Sequence, residues 1–177
     1  LMKPVADQKG TALTTEVQPS VPAWALTDPT RLLQVLTNLV SNGVKFTERG
    51  GVSLVASWRD GTLRIDVKDT GIGMPLDVQR RLFQPFEQAD ASYTRRFGGS
   101  GLGLTISRHL VSLLEGSIEL SSVPGGGSTF VVKVPFTACA AVASVADAER
   151  APHHDRSPHV LVVEDNDINL HVALAML

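Results

Sequence analysis

Across its 177 residues the sequence carries a single cysteine, Cys139. One thiol cannot close an internal disulfide or build a zinc cluster, and its scarcity fits a reducing compartment. No apolar run approaches the roughly 18 residues that a membrane-spanning helix requires, so no segment is expected to span a bilayer. An excess of either charge is also missing: 16 Lys and Arg stand against 18 Asp and Glu, for a net charge of −2. That balance excludes the electrostatic footprint of a general nucleic-acid binder. Internal repeats are absent. The opening LMKPVADQKG has no signal-peptide layout, and its abrupt start is expected of an excised piece of a longer protein. What remains is an ordinary globular balance, 43% hydrophobic and 19% charged, with a mean hydropathy of +0.09. The length suits one to one and a half domains with one real core.

Residues 11–18 alternate apolar and polar, with Leu13, Thr15 and Val17 on one face, and read as a strand. A short apolar piece, Ala23 to Leu26, follows Pro22. Asp28 and Pro29 pair a capping carboxylate with a proline at the first helical position, so a helix is expected from there to about Thr47. Val52 to Arg59 and Thr62 to Lys68 flank Asp60-Gly61, a two-residue hairpin signal. The loop DTGIGMP leads to a short helix near Leu76 to Phe83, and residues 87–100 are polar, without a period, as in a flexible loop. A third helix is expected over Leu102 to Glu115 with Gly116 as its stop. Ser117 to Ser122 and Ser128 to Phe136 make a last strand pair around the turn Pro124 to Gly127. Hairpins outnumber β-α-β crossovers in this order, which predicts a mainly antiparallel, mixed sheet covered by helices on one face.

After Phe136 the composition changes. Residues 137–158 are alanine-rich and broken by prolines, reading as a linker, with a frayed helix as the alternative. HVLVVE (residues 159–164) then looks like a buried parallel strand followed by an acidic turn and a helix start.

On the first long helix, Leu32, Leu33, Leu36, Leu39, Val40 and Val44 make a broad apolar arc. Asn38, Asn42 and Lys45 stack opposite it at i, i+4 and i+7. A solvated face explains them, although Glu and Lys would serve such a face better than asparagine. An amide oxygen also suits a hard magnesium ion, and a lysine suits a phosphate. The loop Asp69-Thr70-Gly71-Ile72-Gly73-Met74 is either a plain strand-to-helix turn or a close backbone approach to a ligand. Gly98-Gly99-Ser100-Gly101-Leu102-Gly103-Leu104 opens a helix where free N–H groups and the helix dipole favour phosphate. Neither loop has Walker or dinucleotide spacing. Gly125 to Gly127 read as a hairpin turn only.

In order and spacing, DPTRLLQVLTNLVSNGVKFTERG, DTGIGM, LFQPFEQAD, RRFGGSGLGLTIS and GGGSTFVVKVPF resemble the N box, first glycine box, F box, second glycine box and final strand of the sensor histidine kinase ATP-binding domain. That domain belongs with the gyrase, chaperone and mismatch-repair ATPases. HVLVVEDNDINLHVALAML resembles the first strand and helix of a response-regulator receiver domain, and the opening resembles the segment leaving a dimerisation and phosphoacceptor domain. The resemblance implies a hybrid kinase divided into residues 1–10 (end of the dimerisation segment), 11–136 (catalytic domain), 137–158 (linker) and 159–177 (start of a receiver). It implies an α/β (α+β) two-layer sandwich, with helices on one face and an ATP lid.

It also implies an enzyme that binds Mg-ATP and donates the γ-phosphoryl to a histidine on a separate domain. Asn42 would hold Mg2+, and Lys45 would contact phosphate. Asn38 stands where related ATPases carry a glutamate base, and an amide cannot accept a proton from water. Asp69 would accept a hydrogen bond from the adenine amino group and repel the guanine carbonyl. Gly71, Gly73 and Met74 would shape the purine pocket, with Thr129 completing it. Gly99, Gly101, Leu102, Gly103 and Leu104 would close over the phosphates, Arg95 would reach the γ-phosphate, and Phe83 and Phe86 would anchor the lid or simply pack. Glu164 and Asp165 would be half of a receiver magnesium site. The implied partners are the protein's own phosphoacceptor and receiver domains, a downstream response regulator and a second copy in a homodimer, with no nucleic acid. The implied setting is a cytoplasmic domain of a membrane-anchored protein. Gly43 departs from the alanine usual after the magnesium asparagine, which predicts local softening of the helix. None of His109, His153, His154, His159 and His171 sits in a phosphoacceptor context. The rival readings are a degenerate nucleotide-binding module without transfer activity and an ATPase of the gyrase or chaperone type, which Asn38 argues against.

Overall fold

A computed structural model describes residues 2–82 and 102–139. All of them lie in the first of two compact units, Leu1–Val142; the second, Ala143–Leu177, falls outside the described residues. Also outside them lie the expected receiver strand, Glu164 and Asp165, most of the linker, and, of the expected lid and its anchors, Phe83, Phe86, Arg95, Gly99 and Gly101.

The chain opens with α1 (Lys3–Lys9), closed by Gly10 in the left-handed conformation, φ 72°. Strand β1 (Ala12–Val17) follows, then a two-residue strand β2 (Ala25–Leu26) and α2 (Pro29–Phe46). The start of α2 is the one its sequence predicts. Pro29 takes the first turn, where a missing N–H costs nothing, and the Asp28 Oδ1 accepts from the Arg31 amide at 3.0 Å. Next come β3 (Gly51–Arg59) and β4 (Thr62–Asp69), joined by Asp60 and Gly61, both at positive φ (49° and 76°). Two left-handed central residues match the twist of the flanking strands, which is why Asp-Gly works there. The short α3 (Leu76–Arg81), α4 (Gly103–Leu113), β5 (Ser117–Val123), β6 (Gly127–Pro135) and a two-residue β7 (Thr137–Ala138) complete the order.

Five strands form one sheet in the order β1-β3-β4-β6-β5. Only the edge pair β1 and β3 is parallel, with α2 crossing between them; the other pairs are antiparallel. The mixed, mainly antiparallel sheet with helices on one face is therefore as expected. Leu63, Ile65, Val67 and Asp69 of β4 and Ser128, Phe130, Val132 and Val134 of β6 are all buried, while Arg64 and Lys68 are exposed. That two-residue period puts one face of the sheet under α2 and α4. Val35, Leu39, Val40 and Val44 from α2 and Val111 from α4 fill the core, joined by Ala6 of α1. Leu33, assigned to the apolar arc of α2, is 51% exposed. No helix among the described residues is long and apolar enough to cross a membrane.

Three local outcomes differ from the sequence reading. Helix α4 ends near the predicted point, but the left-handed residue is Glu115 (φ 56°), not Gly116. The Glu115 amide bonds the Ser112 carbonyl and the Gly116 amide bonds the Val111 carbonyl, a Schellman closure with a non-glycine residue at its left-handed position. Glycine is needed at 116 for a different reason: a Cβ there would overlap the Lys133 carbonyl of β6. Second, β7 opens the stretch read as linker, and it pairs with β2 through Ala25 with Ala138 and Leu26 with Thr137. Third, the opening residues form a helix whose Ala6 belongs to the core.

Two hydroxyls in this core, Thr11 Oγ1 and Thr47 Oγ1, have no hydrogen-bond partner among the described residues. Thr47 is fully buried, and its amide already bonds the Gly43 carbonyl. A buried hydroxyl without a partner carries a desolvation cost that an isosteric methyl does not. Thr47→Val should therefore leave the melting temperature unchanged or raise it, by up to about 1 kcal/mol of stability. A loss of more than that in thermal denaturation would show that the hydroxyl is bonded in solution.

Candidate nucleotide site

The site lies where the C-terminal half of α2, the loop after β4, the β5–β6 turn and the start of α4 meet. Asp69 is the last residue of β4 and keeps the core-facing side of that strand, so its carboxylate is 6% exposed. Its Oδ1 accepts from the Gly71 amide at 2.8 Å and from the Ser128 amide at 3.2 Å. Burial pushes the carboxyl above its ordinary range, and those two amides oppose the shift without cancelling it. The geometry thus keeps a carboxyl in a desolvated place at the end of the sheet.

The glycines around it are required by space. A Cβ on Gly71 would overlap the Phe46 carbonyl at the end of α2 and come within 2.9 Å of Asp69 Oδ1. Gly73 has φ +64°, and a Cβ would strike the Val123 carbonyl. Gly127 has φ +83°, and a Cβ would strike the Asp69 carbonyl. The loop is laced to the β5–β6 turn: the Gly125 amide bonds the Ile72 carbonyl at 2.7 Å. Ser122 Oγ accepts from the Met74 amide at 2.8 Å and donates to the Gly127 carbonyl at 2.9 Å. Gln79 of α3 donates to the carbonyls of Met74 and Ser122. Met74 is held in a half-buried position against the core.

Along α2, Asn38, Asn42 and Lys45 are all half-buried, so their face is not simply solvated. Asn38 Nδ2 donates to Ser107 Oγ of α4 at 2.7 Å, and Ser107 is itself 1% exposed. A Cβ on Gly103 would stand 2.5 Å from Asn38 Oδ1. The amide therefore bridges the two helices, and the absence of a side chain at Gly103 lets the first turn of α4 come down onto it. Gly43 faces β3, where a Cβ would meet Val52 at 3.0 Å and Asp69 Cβ at 3.5 Å, a tight seat for even an alanine. Lys45 Nζ lies 5.0 Å from the centre of the Phe46 ring. Leu102 precedes the first turn of α4, and Leu104 packs on the core.

The structure sets Asp69 and Gly71 against the end of α2, Gly73 and Met74 against the β5–β6 turn, and Gly103 against Asn38, with Asn42 and Lys45 on α2 between these contacts. Thr129 is different. It pairs with the outward-facing Lys68, whereas the buried Ser128 faces inward with Asp69. Expecting Thr129 in the pocket was wrong by one residue, and in a strand one residue reverses the face. Ser107, Ser122 and Gln79 were not singled out, and Gly127 was read only as part of a hairpin turn. Only Ser128 and Gly127 had a sequence signal, the alternation of β6 extended back through GGGSTF.

Among the described residues no three His, Cys, Asp or Glu side chains gather as a metal site. A divalent ion here would have the Asn42 amide oxygen and would need its remaining ligands from phosphates and water. That donor set fits magnesium, which keeps waters and commonly arrives with a nucleotide.

Residues 27–138 match the family model described as histidine kinase-, DNA gyrase B-, and HSP90-like ATPase. The chain is 40% identical, over 99% of its length, to the autoinducer 2 sensor kinase/phosphatase LuxQ of Vibrio parahaemolyticus, covering 22% of that protein. It is 46% identical, over 69% of its length, to the signal transduction histidine-protein kinase BarA of Escherichia coli, covering 14% of that protein. Among solved structures, full-length ShkA in complex with AMPPNP superimposes with a TM-score of 0.70 at 39% identity, covering 79% of this chain and 28% of ShkA. The chain thus spans about a fifth or less of the curated relatives it matches.

Proposed function

Since the chain belongs to the histidine kinase-, DNA gyrase B-, and HSP90-like ATPase family, we propose that it is the catalytic domain of a two-component hybrid sensor kinase, passing the γ-phosphoryl of Mg-ATP to a histidine on another domain. One observation carries the reading of the site: a buried carboxylate, Asp69, held by two backbone amides in a cradle where glycines leave no room for side chains. An ionised carboxylate only accepts, so it selects a donor at the ligand edge it meets. The adenine 6-amino group is such a donor, and the guanine 6-oxygen is repelled.

Gly71 and Gly73 let the loop after Asp69 close onto Phe46 and Val123 beside the purine, with Ser128 fixing Asp69 from the other side. Asn42 holds magnesium, and Lys45 lies one turn further along α2 for the phosphates. Magnesium, when bound, supplies the divalent charge that draws phosphate oxygens together. Asn38 has no basic atom and is engaged with Ser107. Without a base aimed at water, ATP is kept for a nucleophile that approaches from elsewhere. Transfer breaks the bond between the γ-phosphorus and the bridging oxygen, releases ADP and forms a phosphorus–nitrogen bond on the imidazole. The LuxQ and BarA similarities support a sensor-kinase setting, with a phosphoacceptor domain, a receiver beginning near residue 159 and a response regulator as partners. The boundaries 11–136, 137–158 and 159–177 are part of this proposal, with Thr137 and Ala138 added to the catalytic domain through β7, and α1, read as the end of a dimerisation segment over residues 1–10, added through Ala6.

Asn42→Ala should abolish the magnesium dependence of ATP binding while leaving the fold intact, since the residue is only half-buried. Calorimetric titration with ATP, ADP and GTP, with and without magnesium, tests both claims. Equal ATP and GTP affinities would sink the adenine assignment, and an unchanged magnesium response would sink the role of Asn42. Transfer is tested by incubating the chain and radiolabelled ATP with a sensor-kinase phosphoacceptor domain. Acid-labile, base-stable label on that domain is the expected result, and absence of label under conditions where ATP binds would favour a nucleotide-binding module.

A further inference from the structure

A helix leaves its last four carbonyls without partners inside the helix. For α2 these are Gly43, Val44, Lys45 and Phe46, the turn that follows Asn42. Each has a partner, and the partners come from three places. Gly43 accepts from the Thr47 amide at 3.1 Å, and Phe46 accepts from the Ile72 amide at 3.3 Å. Val44 and Lys45 both accept from one ammonium group, Lys9 Nζ, each at 2.6 Å. Lys9 is the last residue of α1, 35 and 36 positions away in sequence. It stands where a positive charge is most favourable, at the negative end of the helix dipole.

The geometry points to Lys9 as a positioning residue for the nucleotide site. We propose that it ties the entry helix α1 to the Asn42–Lys45 turn of α2, so that a shift of α1 changes how that turn presents its ligands. Two features give the link its reach. Gly10 closes α1 in a left-handed conformation immediately after Lys9, and the Thr11 amide bonds Ala6, so the ammonium is carried by an ordered helix end. On the other side, Phe46 shares the same helix terminus with Ile72, between the two glycines of the loop that follows Asp69. A displacement of the α2 terminus is thereby felt by the phosphate-side turn and by the purine-side loop together. The inference rests on the nucleotide reading above and adds to it a route by which the preceding segment controls affinity.

The test uses the full chain as wild type, Lys9→Met, Lys9→Arg, Asn42→Ala and the double variant Lys9→Met/Asn42→Ala. Methionine keeps the aliphatic stem and removes the charge; arginine keeps both charge and donors. Lys9→Met should weaken Mg-ATP binding about twofold to fivefold, the range for an exposed cation at a helix C-terminus, and Lys9→Arg should restore wild-type affinity. The double variant should lose less than the product of the single losses, because both act through one turn. Without nucleotide, hydrogen exchange at the Thr47 and Ile72 amides should accelerate in Lys9→Met, while the Thr11 amide is unchanged. Affinity and exchange both matching wild type would overturn the proposal. So would equal acceleration at Thr11, Thr47 and Ile72, which describes a merely structural cap. A wild-type chain that does not bind ATP overturns the nucleotide reading instead, and the exchange at Thr47 and Ile72 then decides by itself whether Lys9 holds the turn.

Discussion

Asp69→Asn should weaken ATP binding by about 1.5–3 kcal/mol, the range for a hydrogen bond to a charged group, without lowering stability. The two effects separate because the carboxylate is costly to the fold. Its pKa is raised above 3.8 chiefly by burial, and the amides of Gly71 and Ser128 only reduce the shift. An acid whose folded pKa exceeds its unfolded value binds more protons when folded, so ionisation opposes folding. That cost is absent below the unfolded value of 3.8 and is fully present above the raised folded value. Asparagine keeps an oxygen for the two amides and removes the buried charge. The variant should therefore melt at the same or a higher temperature near neutral pH, and its difference from wild type should shrink as pH falls towards 3.8. It should also narrow the preference for ATP over GTP, since the new amide can donate to a carbonyl. Calorimetry and melting curves over this pH range check both parts. A large drop in melting temperature would make Asp69 a structural residue, and an ATP affinity within twofold of wild type would remove it from the adenine site.

Gly73→Ala should be among the most damaging single methyl additions in the described residues, and Gly125→Ala is its control. Both glycines have positive φ, +64° and +74°. Each alanine therefore pays the left-handed penalty of about 1–2 kcal/mol. At Gly125 nothing lies within 4 Å of the added carbon, so the cost should stop there. At Gly73 the carbon would overlap the Val123 carbonyl, which is backbone of β5 and cannot rotate away. The loop must leave the β5–β6 turn, breaking the Gly125–Ile72 and Met74–Ser122 bonds. The total loss should exceed about 3 kcal/mol, adding roughly 1 kcal/mol for each of the two bonds, and nucleotide affinity should fall with it. Thermal denaturation of the two variants side by side measures the difference. Equal losses would mean that the loop can move off Val123 at no cost, and the cradle would then not be built by close packing.

Much of the fold was legible because its signals are local. Asp28 and Pro29 act within one turn of α2, and Asp60 and Gly61 need only their own φ values to reverse the chain. The alternation in β4 assigns Leu63, Ile65 and Val67 to one face through pleat geometry alone. The candidate site was legible as a set of residue types whose order resembles a family; Asp69 does bond the Gly71 amide, and Asn38 does meet the start of α4.

Which atoms meet is a different question, and tertiary structure decided it. Thr129 and Ser128 are equally plausible by type, and the register of β6 against β4 puts the serine beside Asp69. Gly116 looked like a helix stop, yet its lack of a side chain serves the Lys133 carbonyl on a neighbouring strand, and Glu115 takes the left-handed position. Asn38 finds Ser107 69 positions away, and Lys9 finds the end of α2 35 positions away. Caps, turns and strand faces depend on residues within a few positions of one another, and a sequence displays those directly. Partners across the sandwich depend on how helices seat on a sheet, and only the packed core determines that.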